Sequence, residues 1–335
     1  MSKFIPAALC AYVHTEDVDV EKHVNAGPIN DAMEAAVALA DAALENATGN
    51  YNDFQRAHIA TVLKSMQSSH SSIRKILGWG QEDPSSVDAL AVARVPLEGL
   101  YTICLFTESP DWVDVYLRDG WKKEYELFLL QVRETQKLKR FDEYSKKTGP
   151  YNLGMIAKIL GITKDQIATI EHDEAGISLP VGMTRQDVPR YPTPGGVITT
   201  LKGGTDKRQM LERLYPEYQF LCSFAHGLPT ANLFKAMFKD SKFRKFWNEQ
   251  ELSETFQRQV AERAYVTSLI SLLQSAAEII ALYPADVELM AGVKSAWQEI
   301  LEGSLVGKAI WSIRTKKLLS ILDASPPAIG AVPNV

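Results

Sequence analysis

Apolar side chains return every three to four residues through most of this sequence, while strict alternation of apolar and polar residues is almost missing. That period matches one face of an α-helix and not the pleat of a strand. It runs through INDAMEAAVALADAALENA (29–47), DFQRAHIATVLKSMQSSHSSIRKIL (53–77), VDALAVARVPLEGLYTICLF (87–106) and a long segment at 251–283. Between them lie TGN, Gly78-Trp79-Gly80 and Ser109-Pro110-Asp111, which are stop and start signals for helices. The only candidate strand is GVITTL (196–201). The expected fold class is therefore all-α: an antiparallel helical bundle with a long Gly/Pro-rich internal loop.

The pattern predicts an N-terminal arm (1–28), a first half of the bundle (29–175), an irregular loop (176–206), a second half (207–323) and a flexible tail (324–335). Asn30 or Asp31 is expected to cap the first helix, because short polar side chains accept from the free N–H groups of a first turn. Further helices are expected at 112–147, 153–160 and 164–174 in the first half. The second half should hold 207–215, 216–226, 229–239, 251–283, 285–302 and 305–322. Pro216 reads as the first residue of its helix, where its missing N–H costs nothing.

Charge and cysteine content narrow the function classes. A net charge of −5 gives no overall pull toward nucleic acid or an anionic membrane. Cys10, Cys104 and Cys222 are too scattered for a disulfide framework and form no CxxC pair. The first residues do not read as a signal peptide, and the apolar run 265–284 is interrupted by Ser, Gln and Glu278. A cytoplasmic protein without membrane association is expected. No GxxxxGK[ST] loop and no HExxH or Glu-x-x-His pair occurs, so neither a cofactor nor a metal is expected. The acidic stretches HTEDVDVEKH (14–23) and IEHDEAG (170–176) read as solvated segments.

The chemistry-bearing candidates are polar residues on apolar faces. In 87–106 a helical wheel puts Arg94 and Glu98 on the side of Val87, Leu90, Leu97, Tyr101 and Leu105. An Arg and a Glu one turn apart in a core-facing stripe must be paired, because a lone buried charge is very costly. They form either a structural ion pair or the lining of a polar cavity in which Arg94 meets an anion. Pro96, between them, removes a backbone donor.

The second candidate is EYQFLCSFAHGLP (217–229). Tyr218, Leu221, Cys222 and Ala225 make one apolar face of the wheel, and Gln219, Ser223 and His226 cluster on another. Ser223 and His226 are three residues apart and within reach of each other. His226 stands in the last turn, just before a Gly-Leu-Pro stop. Its ring either closes the helix end on a backbone carbonyl or serves as a general acid/base or anion contact.

Together, LAVARVPLEGLYTI and the later YQFLCSFAHG resemble a group of bacterial all-helical proteins that pair an R-x-x-x-E helix with a late S-x-x-H-G helix. The resemblance implies that Arg94, Glu98, Ser223 and His226 meet in one helical bundle; it implies no activity. A more distant likeness is to the small helical-bundle ribonucleases of prokaryotic defence and toxin systems. Those carry an arginine and a histidine a turn or two apart on one helix. Here the nearest arginine before His226 is Arg213, across Pro216, so that arrangement would have to be rebuilt from two helices.

Two further patterns have plain readings. LFKAMFKDSKFRKFW (233–247) interleaves aromatics with lysines, as an amphipathic helix does when its aromatics face inward. Ser271, Gln274, Ser275 and Glu278 form a narrow stripe expected to be a solvent face; were that helix buried all round, they would be partners for Arg94. The sequence thus supports an interaction or sensor protein with a buried Arg-Glu-Ser-His polar cluster, its partner another protein or a second copy. The alternative is a metal-independent nuclease-like effector acting on RNA. There His226 is the acid/base, Arg94 the phosphate clamp, Glu98 an orienting group and Ser223 a neighbour.

Overall fold

The computed structural model describes residues 28–46, 51–78, 86–120, 123, 189–226 and 250–282. Among them the chain is almost wholly helical and contains no strand. Seven helices are seen: α1 (Pro28–Asn46), α2 (Asp53–Gly78), α3 (Ser86–Phe106), α4 (111–120), α5 (Pro194–Thr200), α6 (Asp206–Ala225) and α7 (Gln250–Leu282). The all-α expectation holds. The expected helices at 153–160, 164–174, 229–239, 285–302 and 305–322 lie outside the described residues. So do the acidic stretches, the 233–247 segment and positions 176–188 of the expected loop.

The chain divides into two compact units, Met1–Glu108 with Pro194–Val335, and the intervening Ser109–Thr193. In the second unit, α4 buries Val113 and Leu117, and the Tyr116 and Tyr191 rings meet edge to face at 4.9 Å. The nearly buried Asp119 takes the Lys123 ammonium one turn along at 2.6 Å.

In the first unit α3 is the hub, packing most extensively on α7, then on α2, α6 and α5. α7 also packs on α1 and α2. The sequence explains both roles. Helix α3 is apolar on nearly every side: Leu90, Ala93, Leu97, Leu100, Ile103, Cys104, Leu105 and Phe106 are all inaccessible to solvent. Residues 264–280 of α7 are buried without interruption. A helix apolar all round must be covered all round. By length and composition Val87–Phe106 and Arg263–Leu282 could each cross a membrane, but 67% and 89% of their apolar windows are already covered by protein.

Several boundaries differ from expectation, each for a local reason. Asn30 does not cap α1, which begins at Pro28; it is buried and accepts the Tyr265 hydroxyl at 3.0 Å. The start of α2 at Asp53 is the expected one, and a reciprocal capping box makes it, with Asn52 N–H to Gln55 Oε1 at 3.0 Å and Gln55 N–H to Asn52 Oδ1 at 2.9 Å. The candidate strand at 196–201 is mostly helix, because Pro194 pre-sets the first turn. With no neighbouring strand described, Val197 and Ile198 are instead buried where α5 packs on α3 and α6. Thr199 and Thr200 both donate back to the Gly196 carbonyl.

The two helices expected at 207–215 and 216–226 are one. Gly204, at φ +78°, makes the turn before α6, and Thr205 caps it by accepting from Arg208 N–H at 3.3 Å. Pro216 lies inside this helix, not at its start. Leu211 and Leu214 before it share a buried face with Tyr218 and Leu221 after it, and that packing carries the helix across one missing hydrogen bond.

Close packing of α3 on α2 depends on Gly99. A Cβ there would stand 2.4 Å from both Cγ and Sδ of Met66. Gly99→Ala is expected to destabilise the fold by about 1–3 kcal/mol through overpacking, although alanine gains up to about 1 kcal/mol in helix propensity. Urea unfolding measures this. The cost should shrink when Met66 is shortened to alanine in the same chain, a coupling read by a double-mutant cycle.

Candidate functional site

Helices α3 and α6 bring three of the four expected residues together. Arg94 donates from Nε and Nη2 to Glu98 Oε1 at 3.1 and 2.7 Å, and its Nη1 meets His226 Nε2 at 3.2 Å. The fourth, Ser223, is not a member: its hydroxyl donates to the Phe220 carbonyl at 2.7 Å, within its own helix. A serine in a helix readily turns its proton back on the preceding turn, and that contact prevails over the wheel neighbour. Gln219 likewise turns to the Tyr215 hydroxyl at 2.7 Å.

Tyr218 takes the place expected of Ser223. Its hydroxyl donates to Glu98 Oε1 at 3.0 Å, and the Arg94 guanidinium lies 5.8 Å from its ring centre. Burial, helped by contact with Cys222 and the Glu98 charge, holds the phenol well above its ordinary range, so it stays a donor. A tyrosine on a buried face needs a partner for its hydroxyl, and that is the signal by which the sequence could have revealed it. For Arg94, burial opposes the charge, but the Glu98 carboxylate prevails and raises its pKa.

The cluster lies at the rim of the unit and not in its core. The Arg94 and Glu98 side chains are 22% and 35% exposed, and His226 is exposed. A wheel could not separate rim from core here, since α3 is covered on most sides and its stripe marks no single direction. His226 ends α6 through its backbone, its N–H reaching the Cys222 carbonyl at 3.1 Å. Its ring does not bond a carbonyl; it faces Arg94. A guanidinium offers only donors, so Nε2 is the acceptor and His226 here is the neutral Nδ1–H tautomer.

The polar stripe on α7 is not a solvent face. Ser271, Gln274, Ser275 and Glu278 are each at most 2% exposed. Nor do they meet Arg94. Gln274 Nε2 donates to Glu278 Oε1 at 2.8 Å, and Lys207 places its ammonium 3.6 Å from Glu278. The Lys207 side chain, 7% exposed, also reaches Glu108 at 2.5 Å and donates to Thr107 Oγ1 at 2.9 Å. A lysine in the first turn of a helix stands against the helix dipole, and this was the legible sign that carboxylates hold it there. Nearby in the sequence, Arg263 on α7 grips both oxygens of Glu217 on α6 and lies 3.6 Å over the Phe220 ring.

A third polar group joins α2, α7 and α1. Ser268 donates its proton to the Tyr265 carbonyl at 2.8 Å, so it accepts from His70 Nδ1 at 2.7 Å. His70 Nε2 is buried with no hydrogen-bond partner. Burial, with the nearby Arg74 charge, pushes the His70 pKa down to about 3. Among the described residues no group of three or more His, Cys, Asp or Glu is placed to hold a metal ion. Comparison with family models, curated proteins and solved structures finds no match for this chain.

Two outcomes are expected. Lys207→Met removes a nearly buried ammonium that faces Glu278, Glu108 and Thr107, and should cost about 3–5 kcal/mol in chemical unfolding. His70 is neutral in the fold but protonates once unfolded as pH drops below about 6.5. Its contribution is therefore intact above that pH and is lost as pH falls toward about 3, by at most about 1.4 kcal/mol per unit. Unfolding free energies across this range should fall less steeply in His70→Gln than in the unaltered chain.

Proposed function

We propose that this chain is a non-catalytic helical interaction protein, in which Arg94, Glu98, Tyr218 and His226 hold the end of α6 on α3. The observation that carries this reading is that the cluster spends its charges on itself. One cation meets one carboxylate, a neutral imidazole accepts from the cation, and the tyrosine donates to the same carboxylate oxygen. A phosphate clamp needs its guanidinium available; here two of its donors are committed to Glu98. A nucleophilic serine needs a base beside it, whereas Ser223 gives its proton to a backbone carbonyl. The partner is another protein or a second copy of the chain, inside the cell.

A second reading rests on one feature, the exposed His226 ring next to Arg94. In it the chain is a nuclease-like effector: His226 moves the proton, Arg94 leaves Glu98 to bind a phosphate, and RNA is the substrate.

Labelled RNA of mixed sequence, incubated with purified protein and with His226→Ala, with and without divalent metal, decides between them. No cleavage above buffer is expected from either protein. Arg94→Ala should instead lower the unfolding free energy by about 1–2 kcal/mol, the sum of a partly exposed ion pair and a cation–π contact. Cleavage that disappears in His226→Ala would replace the first reading with the second.

A further inference from the structure

We infer that the Arg94–His226 contact is a proton-operated latch on the C-terminal end of α6. The inference rests on the reading of the cluster as a helix-holding device and adds what would release it. The contact exists only while His226 Nε2 keeps its lone pair, because Arg94 Nη1 has nothing but a proton to offer it. A proton arriving from solvent at Nε2 turns the acceptor into a donor. Two cations then face each other across 3.2 Å. The ring is exposed, so the proton has direct access.

The surrounding groups decide whether a protonated ring finds another place. Among the described residues the facing groups are Arg94 and Glu98 from α3, and Tyr218 and Cys222 from α6 itself, which flank the guanidinium. Glu98 is the only carboxylate among them, and its Oε1 already receives Arg94 twice and Tyr218 once. Its charge is matched by Arg94. A protonated His226 therefore adds an uncompensated positive charge to a cluster that was neutral, and Nε2–H has no acceptor in it.

The position of His226 turns this local event into a conformational one. It is the C-cap: its backbone N–H closes the last turn of α6 on Cys222. In the described structure its ring reaches across to α3 from that last turn. On protonation the ring swings into water, Arg94 Nη1 is returned to solvent, and the final turn of α6 loses its tether. Tyr101, donating to the Leu211 carbonyl at 2.8 Å inside the core, keeps the rest of α6 on α3.

Amide hydrogen exchange of the full chain, at about pH 8 and about pH 5, tests this, with each rate divided by its intrinsic rate. Protection of the Ala225 and His226 amides should drop about fivefold at the lower pH, while that of Leu211 and Leu214 holds. His226→Gln supplies an acceptor that does not titrate and should keep its protection at both values. His226→Lys and Arg94→Ala should show the low value at both. Equal protection at the two pH values in the unaltered chain overturns the latch, as does an equal drop in His226→Gln or full protection in Arg94→Ala. RNA cleavage is scored separately: activity with this protection pattern overturns the non-catalytic reading alone, and the reverse result overturns the latch alone.

Discussion

Glu278 is a carboxylate with 2% of its surface in water, set in the stretch of α7 that is buried without interruption. An ionised group so placed is tolerated only with an opposite charge and hydrogen bonds at hand. Gln274, one turn back, and Lys207 from α6 supply both. Lys207 in turn reaches Thr107 and Glu108 at the end of α3. Three helix segments are thereby tied at one point: the start of α6, the end of α3 and the last turns of α7. Removing one partner from such a buried group costs more than the intact group adds in net stability.

The hub helix α3 meets its neighbours in three different ways. Against α2 the contact is steric, a glycine admitting Met66 where any side chain would clash. Against α6 it is polar, with Tyr101 bonded to a main-chain carbonyl in the core and the Arg94 cluster at the rim. Against α7 it is the most extensive of the three. Among the described helices two carry an internal proline, Pro96 in α3 and Pro216 in α6, and both continue through it. The cost of a missing backbone bond is offset by burial on either side of it, which local propensity alone does not register.

The rim cluster owes its character to the mixture of burial and charge matching. Arg94 and Glu98 would form an ordinary i,i+4 pair on any exposed helix, worth a few tenths of a kcal/mol. The Tyr218 hydroxyl and the neutral His226 ring convert that pair into a contact between two helices. The buried charge group and the rim cluster thus fix the two ends of α6 differently. Its first turn is held by a desolvated lysine, and its last by a single accepting nitrogen open to solvent.

The sequence by itself determined the helical class and four of the helices. The positions of α1, α2, α3 and α7 follow from apolar periodicity and from Gly and Pro at their ends, because those signals act within a few residues. It also pointed to Arg94, Glu98 and His226, since polar residues on apolar helices must be answered somewhere. What answers them was decided only by tertiary structure. Whether 206–225 is one helix or two, whether 194–200 is strand or helix, and whether the 271–278 stripe meets water or Lys207 all depend on what lies alongside. A helical wheel gives direction around one axis but not which neighbour stands there or how deep it lies. Ser223 was misplaced and Tyr218 and Lys207 overlooked for that reason: partner choice is settled by distances between helices, which no local pattern encodes.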